Sequence, residues 1–327
     1  MIRSLRARDL GLISRYRNRG LFLDSVPTLT WGRGIVPVGA LLSTFSSMTG
    51  VFTSVGPSSK GQLPLLGQVV HSAGSPYAHF TYLAPEEGIS SDALPELMEH
   101  LIAQLGSRGV QSLTADVEEA EPAFTALREA EFGIYARQRI WRLDEAQQGV
   151  GGESNWRFAQ YADELAINLL CTSLVPGLVQ QVEPAAWDGL RGYVLFHKGE
   201  LMAYVDVRSG PRGIWLQPFV HMDAQAIDED LSALMASLRP SRKRPIYLCL
   251  RSYQTWLEAA TYNLGAEAGP RQAVMVRRTT RQVKVKEKDG LIAGEGRRTE
   301  PTMPIKIPTP FVSVDDELNV YDQTTNY

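Results

Sequence analysis

The feature of this sequence that most constrains its fold is an order of predicted secondary structure that occurs twice. Residues 1–143 predict a short strand, a helix, antiparallel strands, and then helix, strand, helix and a closing strand. Residues 155–280 predict a helix, antiparallel strands, helix, strand, helix and strand. A repeat of this length indicates duplication of a whole domain rather than a solenoid of small units. We therefore expect an α/β (α+β) protein with two tandem domains, each a mixed, mostly antiparallel sheet flanked by helices.

The clearest elements of the first half lie after residue 64. Two strand-like runs, at 65–72 and 78–83, precede a helix whose apolar residues recur at helical spacing. That apolar series is Leu94, Leu97, Met98, Leu101, Ile102 and Leu105. Residues 27–60 are rich in Gly, Pro, Ser and Thr, and they predict only a short helix around 40–45 and a strand at 51–55.

Changes of composition mark a linker and a tail. Residues 144–154 are polar and rich in glycine, so we expect a linker between an N-terminal domain at 1–143 and a C-terminal domain at 155–280. Residues 281–327 are rich in Gly, Pro and charge, which is typical of a largely disordered tail. The PIKIPTPF stretch within that tail is alternatively a docking peptide, because extended proline-rich segments are readily recognised.

Composition excludes several classes of protein. Of the 327 residues, 44 % are hydrophobic and 21 % are charged, which is typical of a soluble globular protein with a core. The net charge of −3 gives no reason to expect a nucleic-acid or membrane partner. No apolar run approaches the roughly 20 residues of a membrane span, and the N-terminal segment lacks the apolar core of a secretory signal. We therefore expect a cytoplasmic protein.

The cysteines and histidines predict no metal site. The chain has two cysteines, Cys171 and Cys249, and both lie in apolar runs. Such residues are usually buried, reduced thiols. The five histidines are scattered, and no Cys/His cluster has metal-ligand spacing.

Local patterns at the ends of the two halves are similar to those of one family. The opening IRSLRARDLGLI resembles a first strand of the form I-R-x-x-x-x-x-D that leads into the first helix. TALREAEFGIYARQRIWRL and WLEAATYNLGAEAGPRQAVMVRR both resemble the family's last helix, turn and closing strand. The chain thus resembles a tandem member of the GNAT (acyl-CoA N-acyltransferase) superfamily, over roughly residues 1–143 and 155–280.

The resemblance implies acetyl-CoA as a cosubstrate, held by a loop [RQ]-x-x-G-x-[GA] after the fourth strand. Small residues there let the pyrophosphate approach the N–H groups at a helix N-terminus. In the first half, the cofactor-binding positions fall on Leu83, Ser90, Ser91 and Ala93. The leading Arg or Gln is absent and Asp92 lies inside the loop, but Ser91 and Ala93 are small enough for close approach.

The second half departs further from the loop motif. Val220 at the strand end and Gln225 at the first motif position fit a cofactor-binding role. Asp228 and Asp230, however, stand where small residues belong. Two carboxylates would repel a pyrophosphate, whereas they are good residues for the start of a helix. If one half binds an acyl-CoA, the loops therefore point to the first.

The resemblance also implies a tyrosine that protonates the leaving thiolate and a base that accepts the amine proton. Tyr253 and Tyr262 are the candidate acids in the second half. His79 and His221, on or after the fourth strands of the two halves, are candidate bases. Each of the four also fits a structural role, as a half-buried aromatic ring or a hydrogen-bonded histidine.

Two functions remain open from the sequence. The first is an N-acetyltransferase that moves an acetyl group from acetyl-CoA to the amine of a small molecule or a protein. The alternative is a catalytically inactive GNAT-like protein that binds or scaffolds, because neither loop matches the motif. No metal, nucleic-acid or membrane partner is expected in either case.

Overall fold

The structure is a computed structural model that describes residues 2–16, 19–34, 39, 50–56, 64–145, 155–183 and 190–279. Both halves of the repeat belong to one compact unit, Met1–Val283. The predicted helix around 40–45, most of the predicted linker and the predicted tail lie outside the described residues. The division into domains at 1–143 and 155–280 stays a prediction.

Thirteen strands of the described residues form one sheet. In chain order they are β1 (Arg3–Ser4), β2 (Leu21–Phe22), β3 (Val51–Val55), β4 (Leu66–Val70), β5 (Tyr77–Ala84), β6 (Ser112–Glu118), β7 (Gly133–Leu143), β8 (Trp156–Phe158), β9 (Gly192–His197), β10 (Glu200–Ser209), β11 (Ile214–Val220), β12 (Ile246–Arg251) and β13 (Glu267–Arg278). Their spatial order is β1-β3-β4-β5-β6-β13-β7-β12-β11-β10-β9-β8, with β2 beside β5. Most pairs are antiparallel, while β5 pairs with β6 and β11 pairs with β12 in parallel.

Helices flank this sheet. The α-helices are α1 (Leu10–Tyr16), α2 (Ser25–Trp31), α3 (Ala93–Gly106), α4 (Pro122–Glu129), α5 (Glu164–Leu174), α6 (Gly177–Gln180), α7 (Ile227–Ser237) and α8 (Glu258–Asn263). Short 3-10 helices cover Ala7–Asp9, Glu86–Ser90, Tyr161–Asp163 and Ser252–Leu257. No helix in the described part of the chain combines the length and the apolar character that a membrane crossing requires.

The two halves exchange their closing strands. β13, the last strand of the second half, lies between β6 and β7 of the first half and pairs antiparallel with both. β7, the last strand of the first half, continues the sheet into β12 of the second half. Apart from β2, the order of strands is therefore the same from either end of the sheet: each strand has a counterpart of the other half at the matching position. The sequence predicted the repeat but not this exchange.

The exchange also mixes the two cores. β13 contributes Ala273 and Met275 to the core of the first half, which α3 covers with its predicted apolar stripe. β7 contributes Trp141 and Leu143 to the core of the second half, which α7 covers. Burial of apolar side chains is the dominant favourable term in folding. Each half therefore depends on the other for part of its core.

Both halves begin with the same ion-paired turn. Arg3 on β1 donates two hydrogen bonds to Asp9, at 2.6 and 2.8 Å, and Arg157 on β8 does the same to Asp163, at 2.6 and 2.7 Å. The hydrogen bond from Arg3 holds the pKa of Asp9 at about 2. The R-x-x-x-x-x-D spacing of the first half thus occurs in both halves, although it was predicted from the sequence only for the first.

Candidate functional site

A cavity of about 320 Å³ opens in the middle of the sheet, where strands of both halves meet. The first half contributes the residues around β5 and β6, and the second half contributes α5, α6, β10, β11 and β12. Its ionisable lining residues are Asp24, Tyr77, His79, Asp116, Cys171, Glu183, Asp206, Arg208, Arg251 and Tyr253. A small cavity with several convergent polar groups is the usual form of a small-molecule site.

In two places a pair of parallel strands diverges and leaves a wedge-shaped gap in the sheet. β5 and β6 pair only from Tyr77 to His79, and their remaining residues diverge. β11 and β12 likewise pair only from Ile214 to Leu216. In each wedge the strands' backbone groups need new partners, because a buried N–H or C=O group is costly to leave unpaired.

The chain itself fills the wedge of the first half. β2 pairs with the end of β5 on the side that faces β6. The Leu23 N–H then donates to the Thr81 carbonyl at 3.1 Å, and the Asp116 N–H donates to the Leu23 carbonyl at 2.8 Å. The Ser25 N–H donates to the Asp116 carboxylate at 3.1 Å. Residues 21–25 therefore bridge β5 and β6 as a short extra strand.

A side chain fills the end of the second wedge. The buried amide of Gln254 accepts a hydrogen bond from the Val220 N–H at 3.3 Å and donates one to the Val220 carbonyl at 3.0 Å. These are the two bonds that an additional strand would make at the end of β11. The rest of this wedge faces the cavity, since Gln217, Phe219 and Tyr253 line it.

Arg251 is a deeply buried charged group of the cavity, with 8 % of its side chain exposed, as for Asp206. Its Nη2 contacts both carboxylate oxygens of Glu183 at 3.2 Å, and the Tyr135 hydroxyl donates to the same carboxylate. Burial by itself raises the pKa of Glu183, but Arg251 and the Tyr135 hydrogen bond outweigh it and the pKa is lowered. Glu183 is therefore ionised and forms a charged pair with Arg251 at neutral pH.

The opposite wall carries a carboxylate pair. Oδ2 of Asp24 lies 3.9 Å from Nδ1 of His79, which in turn contacts the Thr114 hydroxyl at 3.0 Å. Burial raises the pKa of Asp24 to about 6, while the His79 ring opposes the rise and the charge of Asp116 adds to it. Asp206 and Arg208 form a third charged group, with 3.1 Å between Oδ2 and Nε.

The fold was compared with known proteins. No family model matches the sequence, and no curated protein matches it significantly. Solved structures do match. One is a tandem GNAT protein from the clavulanic acid biosynthesis pathway, with a TM-score of 0.50 and 14 % identity over 86 % of this chain and 98 % of that one. Another is a GCN5-related N-acetyltransferase from Sphaerobacter thermophilus, with a TM-score of 0.51 and 10 % identity over 85 % of this chain and 95 % of that one.

This chain has a tandem GNAT fold. The predicted family resemblance and the predicted fold class are both confirmed at the level of fold. Sequence identities of this size carry no information about the reaction. Any statement on acetyl-CoA therefore depends on the residues at its expected positions.

Those residues do not fit acetyl-CoA well in the first half. In a GNAT domain the cosubstrate is expected between the fourth and fifth strands of the family, which correspond to β5 and β6 here. Residues 21–25 lie in that wedge. Leu83 is buried and pairs with Leu21, Ser90 ends a 3-10 helix, and the Ser91 hydroxyl accepts the N–H of Ala93 at 3.2 Å. The backbone groups of Thr81 and Asp116 and the N–H of Ala93 thus have partners within the chain. The role of this loop in binding acetyl-CoA stays a prediction.

The second half presents an acidic helix start. Gln225 is exposed in the turn before α7, and Asp228, Glu229 and Asp230 all lie in the first turn of that helix. Acidic side chains are stabilising at this position because of the helix dipole, but they repel a pyrophosphate. Val220, the other predicted cofactor residue here, has its backbone groups bound by the Gln254 side chain.

The structure brings two of the four candidate catalytic residues into the cavity, His79 and Tyr253. Burial raises the pKa of Tyr253, so its hydroxyl stays protonated at neutral pH. His221 lies after β11, where its Nδ1 accepts the Asp223 N–H at 3.2 Å, and it does not line the cavity. Tyr262 is 71 % exposed on α8 and is also outside it. The catalytic roles themselves stay predictions.

Three charged residues of the cavity, Asp24, Glu183 and Arg251, were not predicted from the sequence. One signal for Arg251 was available, because it directly follows the apolar run IYLCL of a buried strand. Asp24 and Glu183 carry no such signal, since each lies in a segment without strong periodicity. Across the described residues, no group of three or more His, Cys, Asp or Glu side chains is placed to hold a metal ion.

Proposed function

We propose that this GNAT-fold protein binds a small molecule carrying an amine in its central cavity. The observation that carries the proposal is the charge of the cavity. Its two arginines pair with Glu183 and Asp206. The remaining carboxylates, Asp24 and Asp116, have backbone N–H groups and His79 as described neighbours, and Asp24 also feels the charge of Arg208 without forming an ion pair with it. An ammonium group would offset the charge of these two carboxylates.

The state of Asp24 supports this proposal. Its pKa is raised to about 6, mainly by burial, so the protein around Asp24 disfavours the ionised carboxylate. A cation placed beside a buried carboxylate stabilises the charged form and lowers the pKa again. The free energy that the carboxylate loses on burial is then regained on binding, which makes a cation a favoured occupant.

The test is calorimetry and thermal unfolding of the full chain with simple primary amines, from methylamine to butylamine. A specific ligand stabilises the folded state by about 2.7 kcal/mol at a hundredfold excess over Kd. We expect saturable binding that is lost in Asp24→Asn. The control is Asp223→Asn, because the Asp223 side chain is 85 % exposed and lies outside the cavity. Absence of saturable binding by every amine would overturn the proposal.

Acetyl transfer to an amine is the second candidate function. The observation that favours it is the fold, since one of the matched structures is described as an N-acetyltransferase. It requires acetyl-CoA, for which the filled first wedge and the acidic start of α7 are unfavourable. Thermal unfolding with acetyl-CoA and measurement of free thiol release in the presence of an amine separate the two candidates. Stabilisation by acetyl-CoA together with thiol release would decide for acetyl transfer.

A further inference from the structure

Arg251 has hydrogen-bond donors that no described group uses. Its Nη2 contacts Glu183, but Nε and Nη1 are buried and have no hydrogen-bond partner among the described residues. Only 8 % of the side chain is exposed, and the residue lines the cavity. A buried donor left unpaired costs about 1–3 kcal/mol, and more on a charged group. Nε and Nη1 have almost no accessible surface, so a small rotation of the guanidinium would bring them to an acceptor in the cavity that Arg251 lines.

The charges around the cavity indicate what kind of acceptor would fit. The pairs Arg251–Glu183 and Arg208–Asp206 each cancel, which leaves the carboxylates Asp24 and Asp116 as the excess charge. An amino carboxylic acid places its ammonium group beside this excess, and because it is neutral overall it leaves the net charge of the cavity unchanged. Hydrogen bonds from arginine to a carboxylate are about twice as strong as neutral ones. A carboxylate at Arg251 therefore pairs the donors that the protein leaves unpaired.

Resting on the proposed amine-binding function, we infer that Arg251 forms a carboxylate-binding subsite and that the ligand is an amino carboxylic acid. The ammonium group lies at the wall formed by Asp24 and Asp116, and the carboxylate accepts from Arg251. The two walls belong to one electrostatic site, because His79 at the first wall helps to lower the pKa of Glu183 at the second. A zwitterion spans the cavity between them.

Matched ligands test the inference on the unaltered protein. The amino acids glycine, β-alanine, γ-aminobutyrate and δ-aminovalerate vary the distance between the two charges. Methylamine, ethylamine, propylamine and butylamine are the same chains without the carboxylate. We expect at least one amino acid to bind about tenfold or more tightly than its matched amine, since each tenfold corresponds to about 1.4 kcal/mol. Its carboxamide should bind close to the amine, because it lacks the charge.

Variants of the full chain identify the residue responsible. Arg251→Lys keeps the positive charge beside Glu183 but removes the additional N–H donors. We expect it to reduce the advantage of the amino acid over the amine to about twofold or less. Arg157→Lys is the matched control, because Arg157 forms an ion pair with Asp163 outside the cavity. It should retain the full advantage.

The outcomes separate this inference from the function on which it rests. Equal binding of amino acids and amines overturns the carboxylate subsite and leaves amine binding intact. Absence of binding by both series overturns amine binding and the subsite together. Retention of the advantage in Arg251→Lys places the subsite elsewhere and overturns the assignment to Arg251. If Arg251→Lys fails to fold, Glu183→Gln replaces it: this change removes the carboxylate that competes for Arg251, so the advantage of the amino acid should increase, and an unchanged or smaller advantage overturns the assignment to Arg251.

Discussion

Asp24 gives the sharpest prediction on stability. Its pKa is about 6 in the folded protein against an ordinary value of 3.8, mainly because the side chain is buried. The folded state therefore holds this proton more tightly than the unfolded chain does. The carboxyl therefore lowers the free energy of unfolding hardly at all below a pH of about 4, and the loss grows as the pH rises to about 6. Above that it is constant at about 3 kcal/mol, since a tenfold change in proton affinity corresponds to about 1.36 kcal/mol.

Asp24→Asn removes the ionisation and keeps an oxygen that can accept the Val26 N–H, which Asp24 bonds in the folded protein. We expect the variant to be more stable than the wild type at neutral pH. Its advantage in unfolding free energy should grow by about 2 kcal/mol between pH 4.5 and pH 7.5. Urea denaturation of both proteins at several pH values, without added amines, measures this difference. A constant or shrinking advantage over that range would refute the reasoning.

Three further substitutions test other parts of the structure by urea denaturation. Glu183→Gln should destabilise the protein by about 3 kcal/mol, because it leaves the buried Arg251 without its charged partner. Its control is Glu119→Gln, which removes an exposed ion pair and should cost less than about 1 kcal/mol. Gln254→Ala should cost about 2 kcal/mol, since the last residue of β11 loses partners for both backbone groups. Gly213→Ala should cost about 1–3 kcal/mol, because its Cβ would lie 2.7 Å from a backbone oxygen of α2, and Gly11→Ala, which meets nothing within 4 Å, should not destabilise.

The sequence predicted most elements because hydrophobic periodicity is a local property. The predicted strand at 51–55 is β3, and the run at 192–197 is β9 with the same bounds. Periodicity does not say which strand lies beside which, so the exchange of β7 and β13 could not be predicted. α2, with the sequence SVPTLTW, was missed because serine, threonine and proline hide its helical pattern.

The candidate site was predicted only in part, for a related reason. His79 and Tyr253 were named because the GNAT resemblance directs attention to strand ends and to tyrosines. β2 is only two residues long, and its importance comes from the wedge that it fills. A segment that short carries no periodic signal. That residues 21–25 fill the first wedge therefore follows only from their positions between β5 and β6 in the folded chain.

The central cavity follows from the exchange of strands and from a difference between the wedges: residues 21–25 fill the first, whereas most of the second faces the cavity. β13 between β6 and β7 leaves neither half with a complete sheet of its own, so a half expressed alone would expose unpaired strand edges. Residues of both wedges line the same cavity. The segment that fills the first wedge also carries Asp24 into the cavity, while the open wedge contributes Arg251. The two ends of the proposed ligand thus require different halves, and the site exists only because the halves share one sheet.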